Sequence, residues 1–304
     1  MMGSFDLHLV DFLLHRLTIY RHKRSLKPEH FKAWKDRYEF ELIFGKKETA
    51  IHLLSQGLRM HFFKSNKLCF EIFKGFEEDE IDFLNRFLKP GDVFVDVGAN
   101  MGLFSLYASQ KVKPGGRVFA FEPSSITASR LNDNLQLNKI ENVQIIKEGL
   151  SDKPGQLELI MAEEGYDAFN SFAKPSMGGI ASSEKVPVTT FDDFMHKNSL
   201  SPADLKLVKV DVEGWEYLVF KGGEKTFSHP DAPVMLVEFT EQNAQNAKYS
   251  CAMISQLLHS FGYQLFIYDK KSRALTRELE GKAYEYQNLV AAKQVQRLSG
   301  FSIK

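Results

Sequence analysis

The sequence predicts an α/β chain: a mostly parallel sheet with helices on both faces, preceded by a helical and β extension. Three observations carry this. From Val93 to Phe261, short apolar runs alternate with helix-length segments, the pattern of repeated βαβ units. A glycine-bearing turn, Gly98-Ala99-Asn100-Met101-Gly102, joins the first of those runs to the first helix. The last two runs, Tyr263–Tyr268 and Gln287–Ala291, have no helix between them, only a polar stretch with Lys270, Lys271 and Arg273. They are therefore expected as antiparallel neighbours.

Taken in order, Leu9, Val10, Leu13, Leu14 and Leu17 follow helical spacing. A basic stretch, Arg21, Lys23, Arg24 and Lys27, follows and is closed by Pro28. A membrane-surface helix would fit it, but a helix docked on its own domain with a solvated basic face ranks ahead. Residues 49–75 alternate apolar and polar positions (Ala50, His52, Leu54; Leu68, Phe70, Ile72) and read as antiparallel strands. His52 and His61 read as packing residues. Residues 1–75 are thus expected to form an extension and residues 76–304 the main domain. Glu77 to Leu88 is acidic at its front and places Ile81, Leu84, Phe87 and Leu88 on one face, an amphipathic helix stopped by Pro90-Gly91.

Val93–Val97 then reads as a strand, Met101–Lys111 as a helix, Arg117–Phe121 as a strand, Ser124–Asn138 as a helix and Val143–Lys147 as a strand. Between Ser151 and Phe194 the alternation pauses. Gln156–Met161 and Val186–Val188 read as extra strands, Phe169–Ser183 as a mobile loop, and Thr190 with Asp193 as the cap of a short helix; the long insertion as a whole is a candidate lid, with surface elaboration as the alternative. Leu205–Val210 is a strand, a helix runs from about Trp215 to Gly222-Gly223, and Val234–Phe239 is a strand. Ser250–Phe261 is a helix with Gly262 as its stop.

Composition narrows the function. Lysine plus arginine total 39, as do aspartate plus glutamate, in a chain of 304 residues. That balance speaks against a nucleic-acid partner, which needs a strongly basic surface. Two cysteines, Cys69 and Cys251, exclude a disulfide framework and a cysteine-rich zinc site and suit a reducing cytoplasm. Met1 to Arg16 is interrupted by Asp6, His8 and Asp11 and does not read as a signal peptide. No apolar run approaches the ~18 residues of a membrane span. A cytoplasmic location is expected.

The chemistry concentrates at two strand ends. At the first, Val93-Phe94-Val95-Asp96-Val97 runs into the glycine turn. Such a turn lets backbone approach a ligand, and the helix behind it offers free N–H groups. Glu122 stands twenty residues after Gly102, at the end of the next strand, where a carboxylate accepts hydrogen bonds from both ribose hydroxyls. Turn, strand and acid together point to an adenosine-containing cofactor. Asn100 replaces the middle glycine of a dinucleotide fingerprint, and Asp96 beside the turn repels pyrophosphate but suits a cation. S-adenosylmethionine, a sulfonium without phosphate, is favoured over NAD. At the second strand end, Leu207-Val208-Lys209-Val210-Asp211-Val212-Glu213-Gly214-Trp215-Glu216 brings Asp211 and Glu213 to the carboxyl edge, where Glu238 also arrives. These carboxylates can take a proton from a hydroxyl or hold a divalent cation. Glu216 is expected to serve the next helix's N-terminus.

These segments together resemble the FkbM family of S-adenosylmethionine-dependent methyltransferases. The resemblance runs from about Gly91 to Ala291. It rests on Asp96 to Gly102, Phe121-Glu122-Pro123, Asn134-Leu135-Gln136-Leu137-Asn138, Gly149 to Asp152, Asn170-Ser171, Val188 to Asp192, Lys209 to Glu216, Gly262-Tyr263 and Asn288-Leu289-Val290. Gly149 and Phe191 depart from it, standing where alanine and leucine are more usual. It implies the class I Rossmann-like methyltransferase fold, seven strands with the last antiparallel. It implies that Gly98, Ala99, Asn100 and Gly102 shape the cofactor turn, with Asp96 near the methionine end. Glu122 and Pro123 would lie at the ribose, and Ser151 and Asp152 near the adenine. It implies O-methylation of a sugar, glycan or secondary metabolite; Asp211, Glu213 and Glu238 are the catalytic candidates from the strand-end reading, with no metal assigned. The alternatives are an NAD-dependent oxidoreductase and a non-catalytic binding protein of the same fold. The 26 phenylalanines are read as core plus an apolar acceptor wall.

Overall fold

The computed structural model describes residues 7–278 and 283–304, with side chains from residue 14 onward. Asp6, and the side chains of His8, Leu9, Val10, Asp11 and Leu13, lie outside the described residues. Helices α1 (Leu7–Ser25) and α2 (Pro28–Phe44) open the chain. They pack through ring stacking, His22 on Trp34 at 3.8 Å and His15 on Tyr38 at 5.5 Å, so the first helix docks on its own chain. A hairpin follows, β1 (Thr49–Leu53) with β2 (Arg59–Phe63), then α3 (Lys67–Phe73) and α4 (Glu78–Phe87).

The α3 segment corrects the strand expected through Leu68, Phe70 and Ile72. Asn66 caps a helix there, its Oδ1 accepting from Cys69 N at 2.9 Å. The buried positions are Cys69 and Ile72, three apart, which is helical rather than alternating spacing.

The alternating region then forms: β3 (Val93–Val97), α5 (Leu103–Lys111), β4 (Arg117–Phe121), α6 (Ser125–Leu137) and β5 (Val143–Ile146). A small second sheet comes from β6 (Gly149–Leu150), β7 (Gly155–Ala162) and β8 (Ile180–Thr189), ordered β6-β8-β7. Thr190 caps α7 (Phe191–Lys197) by accepting from Asp193 N, as its sequence signature anticipates. The main sheet resumes with β9 (Leu205–Val210), α8 (Glu216–Gly222), α9 (Glu224–Ser228), β10 (Val234–Phe239), α10 (Glu241–Asn246), α11 (Cys251–Ser260) and β11 (Gln264–Asp269). It ends with β12 (Ala274–Arg277), β13 (Gln287–Ala292) and β14 (Ser302–Ile303).

Seven strands in the order β11-β13-β10-β9-β3-β4-β5 form the sheet's body. β13 lies antiparallel to both β10 and β11, while β10, β9, β3, β4 and β5 are mutually parallel. This is the expected class I arrangement. Two short strands, β12 and β14, widen it to nine. β12 occupies part of the stretch expected as a plain connection. Asp269 Oδ1 accepts from Ser272 N at 2.6 Å and turns the chain back on β11. Likewise the loop expected over Phe169–Ser183 is shorter, because Ile180 to Ser183 pair with β7.

The sheet's body is buried on both faces: every residue of β3 and β10 is buried. Two apolar cores, one per face, follow. The extension docks on α6 through side-chain amides. Asn138 Oδ1 accepts from Arg59 N and Asn134 Oδ1 from His61 N, each at 2.8 Å. Asn134 Nδ2 also donates to Met101 O at 2.9 Å, so one amide ties β2 to the glycine turn. Both cysteines are free and buried. No helix among the described residues is long and apolar enough to cross a membrane.

Candidate active site

The glycine turn is built as its residues require. A Cβ at Gly98 would lie 1.8 Å from Asp211 O, and its φ of +83° suits glycine. Asn100 holds φ +49°, a left-handed conformation that asparagine tolerates better than most residues. Glu122 braces the turn from β4's end: Oε2 accepts from Asn100 N at 3.0 Å and Oε1 from Ser124 N at 2.9 Å. Each oxygen keeps a further lone pair for a ribose hydroxyl. Asp96 is buried, bonded at Oδ2 by Ser105 Oγ at 2.6 Å, and its buried Oδ1 has no partner. Asp96 lines neither the crevice nor the cavity described below, but a buried carboxylate with an oxygen unpartnered among the described residues suits a nearby cationic group and not a pyrophosphate. The residues therefore fit S-adenosylmethionine.

Gly98, Asn100, Glu122 and Pro123 line a small crevice closed over by Asp167 to Phe172. Ser151 and Asp152 do not line it. Ser151 Oγ instead accepts from Trp215 Nε1 at 3.3 Å. The Gly149 departure has a local cause, since a Cβ there would sit 2.6 Å from the Phe172 ring.

Asp211, Glu213 and Glu238 come together as expected, with one carboxylate oxygen of each within 4.8 Å of the others. Glu213 Oε2 accepts from Asn243 Nδ2 at 2.7 Å, and Glu238 Oε1 from Thr240 Oγ1 at 2.7 Å. Glu213 itself sits at φ +54°. Ser171 Oγ holds that conformation by donating to Glu213 O at 2.8 Å. Glu216 accepts at Oε1 from Val212 N and Gly214 N, which confirms a local role in the turn before α8.

Lys209 is the residue that the sequence reading passed over. It is 3% exposed, its Nζ bonds Asp211 Oδ2 at 2.6 Å, and it lies 4.6 Å from the Phe104 ring centroid. Burial works against its charge, but Asp211, Glu77 and Asp96 outweigh burial and hold the ammonium above its usual range. Burial, then the Asp211 charge, pushes Glu213 and Glu238 well above the ordinary carboxylate range. Burial likewise lifts Glu122 and Glu216 to about 7 and Glu77 to about 8.

A pH dependence of stability follows. A carboxylate raised by folding contributes stability that is fully present below its unfolded value, about 4.3, and lost as pH rises through its folded value. For Glu122, Glu216 and Glu77 that loss falls between about pH 5 and 8. The lowered acids Asp82, Asp204 and Glu241 titrate below this window. His52, lowered by burial, opposes the trend below its ordinary value of about 6.5. The cofactor-free protein is therefore expected to melt on the order of 5 °C lower at pH 8.5 than at pH 6. Scanning calorimetry across that range checks it, and a rising melting temperature would contradict it.

Beside the crevice opens a cavity of about 490 Å³ that shares Gly98, Asn100, Asp211 and Glu213 with it. Methyl donor and acceptor can thus meet at the shared residues. A mostly parallel sheet with a glycine turn at one strand end, braced by the acid Glu122 from the next, is the class I methyltransferase arrangement.

The methyltransferase FkbM domain matches residues 96–265. This chain belongs to the FkbM methyltransferase family, whose methyl donor is S-adenosylmethionine. Methyltransferase sdnD of Sordaria araneosa is 33% identical over 160 residues, 44% of this chain and 61% of that protein. Methyltransferase 1 of Beauveria bassiana is 29% identical over 149 residues, 44% and 59%. Ribosomal RNA large subunit methyltransferase E of Burkholderia thailandensis is 29% identical over 136 residues, 43% and 62%. The chain thus spans about three fifths of these relatives' length.

Proposed function

We propose that this chain methylates a hydroxyl oxygen on a sugar, glycan or secondary metabolite, with Asp211 receiving the proton. The single observation that carries this reading is the Lys209–Asp211 pair at 2.6 Å, set where crevice and cavity meet. S-adenosylmethionine supplies an electrophilic methyl group and departs as a neutral thioether. Asp96, buried behind the turn with one unpartnered oxygen, favours the donor's positive end by its charge, and Glu122 positions the ribose. Asp211 accepts the hydroxyl proton as the new oxygen–carbon bond forms. Lys209 fixes that carboxylate's orientation, and Glu213 and Glu238, raised toward their neutral forms, donate hydrogen bonds to the acceptor oxygen. Positioning supplies much of the rate.

An NAD-dependent oxidoreductase is disfavoured by Asp96 and Asn100. The direct test is transfer of labelled methyl to neutral glycosides, with the product's stability to alkali measured. An ether survives, whereas an alkali-labile ester would contradict hydroxyl methylation. Since Lys209 already supplies a cation at Asp211, dialysis against EDTA is expected to leave turnover within twofold. A tenfold loss restored by Mg²⁺ would instead make Asp211, Glu213 and Glu238 a metal centre.

A further inference from the structure

We propose that the acceptor is an uncharged amphiphile, with a hydroxyl-bearing head at Asp211 and Glu238 and an apolar body along a wall to which residues outside the shared family domain contribute. This rests on the methyl-transfer reading above. The cavity, about 490 Å³, falls in the size class that holds drug-sized molecules.

Its lining has two characters. Asp211, Glu213 and Glu238 cluster in its lining, and Met60, Leu68, Phe76, Leu103, Phe169 and Met177 add apolar side chains to it. Met60, Leu68 and Phe76 precede residue 96, where the family match begins. Met177 is 44% exposed at the rim. Apolar side chains that face a cavity and its mouth gain by being covered with an apolar ligand surface.

Charge argues for a neutral head. Two cations line the cavity, and both are engaged. Lys209 is bonded to Asp211. Lys67 Nζ donates to Met177 Sδ at 3.2 Å and lies 5.6 and 5.5 Å from the Tyr166 and Phe169 ring centroids. Glu71 and Glu285 add further carboxylates to the lining beside Asp211. A phosphate or carboxylate on the acceptor would meet these acids, and Lys67, held against a thioether and two rings, is one cation against Asp211, Glu71 and Glu285, a balance that selects against anionic acceptors, nucleic acids included. A cationic head would be placed beside the donor's sulfonium.

The test uses the full chain saturated with S-adenosylhomocysteine and N-phenyl-1-naphthylamine, an uncharged apolar fluorophore. The competitors are n-octyl β-D-glucoside, D-glucose, octyl phosphate and octylamine, each below its micellar concentration. Octyl glucoside is expected to displace the fluorophore at a concentration at least 30-fold below glucose and tenfold below octyl phosphate and octylamine. Met177→Glu, at the exposed rim, is expected to weaken that displacement at least tenfold with S-adenosylhomocysteine affinity within threefold; Leu68→Ala gives a smaller loss. Equal potency of glucose and octyl glucoside, a charged competitor winning, or indifference to both substitutions would overturn the proposal. Displacement by octyl glucoside without methyl transfer to it would support the amphiphile while counting against the hydroxyl-methylation reading, so the two fail separately.

Discussion

Replacing Asp211 with asparagine is expected to lower methyl turnover about 100-fold, the low end of what a positioned base contributes. Affinity for S-adenosylhomocysteine, measured by calorimetry, should stay within threefold. The substitution also leaves Lys209, 3% exposed, without its bonded carboxylate, and stranding a buried charge destabilises by about 3–5 kcal/mol. Asp96 and Glu77 remain near that ammonium, so the lower end applies. A drop in activity alone would thus confuse a lost base with a loosened fold. The double variant Asp211→Asn with Lys209→Met separates them, because it removes the stranded charge along with the carboxylate. Stability should recover and turnover should stay low. Near wild-type turnover of Asp211→Asn would sink the base assignment and leave orientation alone as the source of rate.

The strands that carry this site were legible because burial on both faces leaves an uninterrupted apolar run. β3, β4, β9 and β10 begin and end where the sequence places them. Helix starts at Ser124, Thr190 and Ser250 were legible through their side-chain caps. What escaped was structure held by partners rather than by its own pattern. β12 and β14 are four and two residues long and exist through pairing at the sheet edge. The first half of β8 is mostly exposed and shows no alternation. The placement of Asp96, Glu122, Asp211, Glu213 and Glu238 along one sheet edge was legible because strand ends deliver them. Lys209 left a signal as well. A lysine inside an apolar central strand must find a counter-charge, and Asp211, two residues on, shares its face. The cavity-wall positions of Met60 and Leu68 had no such signal, since they arise only when the extension docks on α6.

That division bears on charge. Zero net charge over the chain conceals a strand edge where Asp96, Glu122, Asp211, Glu213 and Glu238 share the company of one buried lysine. Burial raises Asp96, Glu122, Glu213 and Glu238 toward the neutral, hydrogen-donating form, while Asp211 takes the hydrogen bond from Lys209. The same sheet edge therefore holds both hydrogen donors and an ion-paired carboxylate although the charged residues named there are five acids and one lysine.

Glu122 is where this logic meets the cofactor, and Glu122→Ala is expected to weaken S-adenosylhomocysteine binding about 100-fold. Hydrogen bonds to a charged group contribute about 1.5–3 kcal/mol each. Two ribose hydroxyls at the low end amount to roughly 3 kcal/mol, or two factors of ten. The truncation also frees Asn100 N and Ser124 N from the carboxylate that braces the turn, so on-rates should fall along with affinity. Glu122→Gln keeps one carbonyl acceptor and is expected to lie between alanine and wild type. Burial has raised Glu122 to about 7, and only its ionised form accepts at both oxygens without a proton of its own in the way. Wild-type affinity should therefore rise between pH 6 and pH 8, the reverse of the stability trend, and the glutamine variant should lose that slope. Unchanged affinity in Glu122→Ala, or an equal pH slope in Glu122→Gln, would remove Glu122 from the ribose site.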